Sequence, residues 1–316
     1  MWNLKRLRPV GLIVAILGLA LGLEQAATAA LLPVSYSFLG NTYADHGTLN
    51  PPGANDWTCK PSAAHPRPVI LVHGTAGNGG DNWATYSALL HNNGYCVFAL
   101  TYGVSPVNAS LPLKVGGMNE ITSSARQLQA YVTKVLRATG ATKVDLVGHS
   151  QGTYMPNYYV RFLGGARYVD RYVSLAPLWR GTLGPVLGQL NLLAAAYHFN
   201  TNSLVPVCAA CGEMVTNSPF QRMMASGTLA APGVQYLNIS TKYDELVIPY
   251  TSGQVSGYPN MRNVVLQNVC STDFSDHLEI ASSPNAAQIV LNFLDPAHPH
   301  QVRCVAGVLP ALGPLG

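Results

Sequence analysis

The stretch Lys143-Val144-Asp145-Leu146-Val147-Gly148-His149-Ser150-Gln151-Gly152 decides how this chain is read. A short apolar run with a charged start reads as a buried strand. It runs into G-x-S-x-G, and the residues that follow can form a helix. That order predicts a nucleophile elbow, a serine raised on a sharp strand-to-helix turn. Gly148 and Gly152 flank Ser150 because side chains there would crowd a turn whose backbone is already strained. The following helix would direct its N–H groups and positive dipole end towards the serine, where negative charge grows during acyl transfer. Five residues alone recur by chance, so the context on either side has to carry the reading.

Working outward, Pro68 to Val72 is a continuous apolar run, as expected of a strand covered on both faces. It ends in a glycine-rich loop, His73 to Gly80. Asn82–His91 reads as a short helix and Tyr95–Leu100 as a second strand. Asn119–Ala138 has apolar residues at helical spacing and Gly140 to end it. Beyond the elbow come a helix over Thr153–Leu163 and a strand over Tyr172–Leu175. Further strands are read over Val234–Ser240 and Asn263–Val269, with a closing helix over Asn285–Leu294. Alternating strands and helices predict an α/β fold with a mostly parallel sheet and helices on both faces. Leu31–Pro68 reads as an extended segment wrapping the domain. Between about 178 and 232 the alternation lapses, and this insertion reads either as a cap lining an acyl-binding cleft or as ordinary helical packing.

A serine hydroxyl needs a base, and the base an acceptor to fix its tautomer. In this topology the acid follows a later strand and the histidine comes near the end. Asp244 and His277 fall at those places, giving Ser150, Asp244 and His277 as candidate catalytic residues. Glu245 is a rival acid, and Asp276 reads as a loop cap. His298 and His300 lie in a Pro-rich tail, His149 is confined within the elbow, and His73 reads as a structural hydrogen-bonder. The backbone amides of Gln151 and Thr75 are the candidate oxyanion hole, with the Thr75 hydroxyl as a third donor.

The chain has 316 residues, enough for one large α/β domain. Residues 1–29 are set apart: Lys5, Arg6 and Arg8 precede an apolar run, Val10–Leu23, and Ala27-Thr28-Ala29 has the form of a cleavage site. That run, about 14 residues, is shorter than the roughly 20 needed to span a bilayer, so a signal peptide is expected and the product is secreted. A formal charge of +4 without clustering gives no reason to expect nucleic acid as partner. Six cysteines in an exported chain fit three disulfides. Cys208-x-x-Cys211 reads as a local staple rather than a redox or zinc motif. Cys59–Cys96 and Cys270–Cys304 would each tie an irregular segment to the core. Asn108-Ala-Ser and Asn238-Ile-Ser have the form of glycosylation acceptors.

Residues 72–78 (Val-His-Gly-Thr-Ala-Gly-Asn), 146–152 (Leu-Val-Gly-His-Ser-Gln-Gly), 174–177 (Ser-Leu-Ala-Pro), 241–245 (Thr-Lys-Tyr-Asp-Glu) and 276–278 (Asp-His-Leu) resemble the bacterial class 2 lipases. These are secreted triacylglycerol lipases of the α/β-hydrolase superfamily, and the resemblance covers about residues 60–296. It implies an α/β-hydrolase fold, Ser150 as nucleophile, Asp244 as acid, His277 as base, and Thr75 with Gln151 as oxyanion hole. It also implies no metal or cofactor, and an acylglycerol or other carboxylic ester as substrate, met at a lipid–water interface. Thr153 departs from the pattern, since relatives often carry a glycine there. An esterase, polyester hydrolase or acyltransferase would use the same residues, and a non-catalytic lipid- or cell-wall-binding protein would keep the fold. Oligomeric state is not legible, a monomer being the preferred reading.

Overall fold

Six short strands, most of their residues buried, dictate the architecture. The computed structural model describes residues 30–44, 49–105, 114–183 and 208–312. The leader, Asn108 and most of the insertion's apolar residues lie outside these. The chain divides into Met1–Leu31 and Leu32–Gly316, and the second unit holds everything described below. In chain order the principal elements are α1 (Phe38–Ala44), β1 (Val69–Val72), α2 (Gly79–Asn92), β2 (Val97–Leu100), α3 (Ile121–Thr139), β3 (Val144–His149), α4 (Gln151–Phe162), β4 (Val169–Leu175), β5 (Gln235–Ser240), β6 (Met261–Val265) and α5 (Pro284–Leu294).

All six strands are parallel, in the order β2-β1-β3-β4-β5-β6. The four residues of β1 and the six of β3 are all buried, which is why they read as apolar runs. One core face packs α1, α2 and α5, with Trp83, Leu90, Ile289 and Val290 against Leu71 and Val147. The other packs α3 and α4, with Leu128, Val132, Tyr154 and Tyr159 against Ile70, Phe98 and Leu146. The strand order reverses direction between β1 and β3. In such sheets ligands bind beyond the strand ends at that switch point. The chain places Thr75 just after β1 and Ser150 just after β3.

Asp145 is the one carboxylate inside β3. Burial pushes it up to about 6, against the pull of Arg67 and Arg171. Arg67 Nε lies 3.0 Å from both of its oxygens, and the Arg171 N–H donates to Oδ1 at 3.0 Å. These partners offset what an uncompensated buried charge would cost.

Three of the differences from the sequence reading have a clear local cause. The helix expected from Asn82 begins at Gly79, so two glycines assigned to the loop form its first turn. Asn78 explains this: its side chain accepts from Gly80 and Asp81 while Asp81 returns a bond to the Asn78 N–H, a complete capping box. The last strand is Met261–Val265, and Leu266–Val269 is a helical turn. β5 ends at Ser240, opposite Val265, so the ladder has no partner beyond that pair. Gln267 then turns inward, its amide donating to Thr241 Oγ1 and the Asp273 carbonyl. Finally, the N-terminal segment is not wholly extended, because α1 buries Phe38 against the core.

Cysteines pair 59–96, 208–211 and 270–304, as the sequence suggested. The first fastens the segment before β1 to the entrance of β2, and the third fastens the C-terminal tail to the loop after β6. In the described part of the insertion, Met214 and Met224 are buried in the α3/α4 core, and Phe220 stacks on Tyr158. That part packs as ordinary helix. Asn238 is fully buried within β5, which closes its Asn-Ile-Ser to glycosylation in the folded protein.

Candidate active site

β3 ends at His149 and α4 begins at Gln151, leaving Ser150 alone to turn the chain. It does so at φ 54° and ψ −123°, a conformation that L-residues rarely hold. Two close approaches enforce the turn. A Cβ at Gly148 would lie 1.9 Å from the Gly152 carbonyl oxygen, and one at Gly152 2.0 Å from the Val72 carbonyl oxygen. The Ser150 N–H donates to the Leu175 carbonyl at 3.0 Å, fixing the elbow to β4. Thr153, the departure from the familiar pattern, sends its hydroxyl back to the Ser150 carbonyl at 2.7 Å. Pro156 lacks the N–H that would otherwise bond the Gly152 carbonyl, so this first turn depends on such substitutes.

Asp244 and His277 meet although 33 residues separate them. Asp244 Oδ1 lies 2.8 Å from His277 Nδ1, with both side chains buried. The same oxygen accepts the N–H groups of Leu246 at 3.1 Å and Val247 at 2.7 Å. A carboxylate at Nδ1 requires a proton there, so the neutral ring carries its lone pair on Nε2. Burial opposes protonation of His277, but the charge and hydrogen bond of Asp244, with Glu245 and Asp276 behind it, raise it above 6.5.

The rival acid is elsewhere engaged: Glu245 Oε2 accepts the main-chain N–H of His277 at 3.1 Å. His149 touches the same loop, its Nε2 lying 2.8 Å from the His277 carbonyl oxygen. Burial, with the nearby His277 charge, pushes His149 down to about 3, so it stays neutral. His73 stacks on Tyr102 with ring centroids 4.3 Å apart, takes the Tyr102 N–H on Nε2, and is pushed by burial to about 4. Among the described residues no hydrogen bond joins the Ser150 hydroxyl to His277. Such bonds are commonly long before substrate arrives and tighten in the complex.

Above the switch point, Thr75 and Gln151 face each other. The Thr75 hydroxyl donates to Gln151 Oε1 at 2.7 Å, so its proton is already committed and is not the spare donor the sequence suggested. Among the described residues the backbone N–H groups of Thr75 and Gln151 have no hydrogen-bond acceptor, while neighbouring Ala76 donates to Gly116. Ser150 itself is partly exposed.

A family model described as "Lipase (class 2)" matches residues 66–290, most of the chain and the whole of the sheet. The chain belongs to the class 2 lipase family. Over 101 residues it is 42% identical to a triacylglycerol lipase of Pseudarthrobacter phenanthrenivorans and to one of Burkholderia plantarii. That stretch is 30% of this chain and 28% and 25% of those relatives, so the likeness spans only about a quarter of their length. Among solved structures, Aspergillus fumigatus lipase B superposes with a TM-score of 0.61 at 17% identity, covering 84% of this chain and 61% of that one. Mature Bacillus licheniformis lipase BlEst2 gives 0.53 at 16% identity, over 74% and 94%. At such identities the likeness is one of fold, the α/β-hydrolase fold.

Sequence reasoning missed several residues that shape the site. Gly116 and Gly117 brace the loop after β1; a Cβ at Gly117 would meet Gln151 Oε1, the Gly74 carbonyl and the Thr75 Cα, each at 3.0 Å. Their Gly-Gly pair was the only signal, and it fell in an unassigned stretch. Asn82 Oδ1 accepts the Gly74 N–H at 3.0 Å and lies 3.1 Å from His149 Nδ1. Asp273 is buried and fully used: Oδ1 takes the N–H and hydroxyl of Ser275, and Oδ2 takes Ser283 and Asn285. Asp276 does cap its loop, through the Glu279 N–H at 2.8 Å.

Glu279 offers a stability test. Its Oε2 accepts the Phe38 N–H at 3.0 Å, and burial pushes the carboxyl up to about 7. A carboxyl raised in the fold costs stability as it ionises: nothing at pH below its unfolded value, the full amount above about 7. Glu279→Gln keeps an acceptor and removes that cost. Its melting temperature relative to wild type should therefore be higher at pH 8.5 than at pH 5, by the equivalent of about 1–3 kcal/mol. Parallel melting curves at the two pH values test this.

Proposed function

We propose that this chain is an exported carboxylic ester hydrolase, a triacylglycerol lipase working through an acyl-enzyme on Ser150. Ser150 Oγ attacks the ester carbonyl while His277 Nε2 takes its proton. Asp244 holds the imidazole in the required tautomer and stabilises the imidazolium. The carbonyl oxygen, now negative, is received by the N–H groups of Thr75 and Gln151. His277 then returns the proton to the leaving alcohol, and water repeats the sequence to free the acid. The observation that carries this reading is the 2.8 Å bond between Asp244 and His277, whose loop is tied through His149 to the strained elbow of Ser150. Relatives named triacylglycerol lipases support an acylglycerol substrate. Three disulfides fit an oxidising destination, in keeping with a leader over residues 1–29 and a single domain over 30–316. Within the insertion at about 178–232, the role of cap over the acyl chain is assigned to residues other than those packed into the α3/α4 core.

Three experiments test the reading. An alkyl fluorophosphonate should label purified protein once, at Ser150, and failure to label would remove the nucleophile. A panel of esters from acetyl to palmitoyl, below and above the concentration at which they aggregate, should show turnover rising on long chains once aggregates form. Confinement to short soluble esters would make the chain an esterase. Activity should also rise with pH on a limb centred above 6.5, because Asp244 holds the His277 proton more tightly than water does. A kcat/KM profile flat from pH 5 to 8 would count against His277 as base.

A further inference from the structure

The loop after β5 carries two carboxylates side by side, and both face His277 at different atoms. Asp244 takes the ring N–H, and Glu245 takes the main-chain N–H at 3.1 Å. One carboxylate is enough to orient an imidazole. A peptide N–H is satisfied equally well by an uncharged amide or carbonyl oxygen, without the desolvation cost of an ionisable group. Glu245 therefore brings to this place a charge that its hydrogen bond does not need.

We propose that Glu245 is a positioning residue acting through His277, its carboxylate anchoring the histidine's main chain and, as a second negative charge, setting the pH at which the ring releases its proton. The proposal rests on His277 being the base, as argued above. Four groups face that ring: Asp244 and Glu245 from the loop after β5, Asp276 from its own loop, and His149 from the end of β3 with ring centroids 5.0 Å away. His149 stays neutral and adds no charge. Asp276 has its two oxygens on the N–H groups of Glu279 and Leu312. Glu245 in turn is faced by His277, Asp276 and Asp244. Burial pushes Glu245 up to about 7, and the His277 charge draws it back. A protonated His277 keeps Glu245 ionised, and a neutral one lets it take a proton. The two titrate as a pair, so the acidic limb of activity belongs to both.

Two substitutions separate charge from anchorage. Glu245→Gln keeps the reach and the accepting oxygen but removes the charge; Glu245→Asp keeps the charge but withdraws the oxygen. The His277 imidazole would be titrated by NMR in a Ser150→Ala background, and kcat/KM followed against pH with Ser150 intact. For Glu245→Gln the His277 midpoint and the acidic limb should both fall by about one pH unit. For Glu245→Asp the midpoint should move less, while the alkaline kcat plateau drops further than in the glutamine variant. A Glu245→Gln midpoint within about 0.2 unit of wild type, whatever happens to kcat, would reduce Glu245 to scaffold and overturn the proposal. The NMR midpoint needs no turnover. A wild-type protein that neither hydrolyses esters nor takes the phosphonate would thus sink the functional reading while the Glu245 comparison still gave its own answer.

Discussion

Replacing Ser150 by alanine is expected to lower ester hydrolysis by about 10⁴-fold or more, with the fold untouched. The stability half of that expectation comes from the elbow. The Ser150 hydroxyl has no partner among the described residues, whereas its N–H and carbonyl are held by Leu175, by the hydroxyl of Thr153 and by the Thr153 N–H. Alanine keeps all the backbone bonds and has the same Cβ to fit at φ 54°. The melting temperature should stay within about 2 °C of wild type. Ser150, Asp244 and His277 act as a unit, so a Ser150→Ala, His277→Ala double variant should be scarcely slower than either single one. Stepwise, additive losses, or near-normal turnover by Ser150→Ala, would leave the proposed chemistry without its nucleophile.

Gly148→Ala should do the reverse, destroying the fold rather than the chemistry. A methyl group there would sit 1.9 Å from the Gly152 carbonyl oxygen and 2.5 Å from its carbon, all of it backbone. Relief would require moving the first turn of α4 away from β3, where both lie buried in the sheet's core. A cost of about 4 kcal/mol or more follows, lowering the melting temperature by about 10 °C or abolishing soluble protein. Gly140→Ala is the control. Gly140 ends α3 at φ 77° with nothing within 4 Å of the added carbon, so only the left-handed backbone is penalised, at about 1–2 kcal/mol. Equal losses in the two variants would mean that crowding at the elbow is not what fixes it.

Gly148 and Gly152 also show why so much was legible in the chain. A buried strand, a glycine on each side of the serine and a helix behind it leave one way to pack, and the alternation around them sets the parallel sheet. Asp244 and His277 were chosen by their places after successive strands, and their side chains lie 2.8 Å apart. What escaped the sequence depends on partners remote in the chain. Asp273 looked like one polar residue among several in a loop, and two of its four bonds appear only when Ser283 and Asn285 fold back over it. Gln267 read as strand because its amide's acceptors lie in two other loops. Helix α1 was hidden in a stretch rich in Pro, Gly and Asn, since one buried phenylalanine makes no periodic pattern. The Thr75 hydroxyl was offered to the substrate, and the structure gives it to Gln151.

The Phe38 N–H rests on Glu279 and the Leu312 N–H on Asp276, so both outlying ends of the described chain take hold of the few residues around His277. The stretch shared with the family, 66–290, includes neither end. Cutting the protein back to that common portion would spare all six strands and the serine's perch, yet strip the histidine of its footing from two sides. The two outlying segments therefore steady the neighbours of its most exacting side chain, and losing either grip should be felt at the histidine.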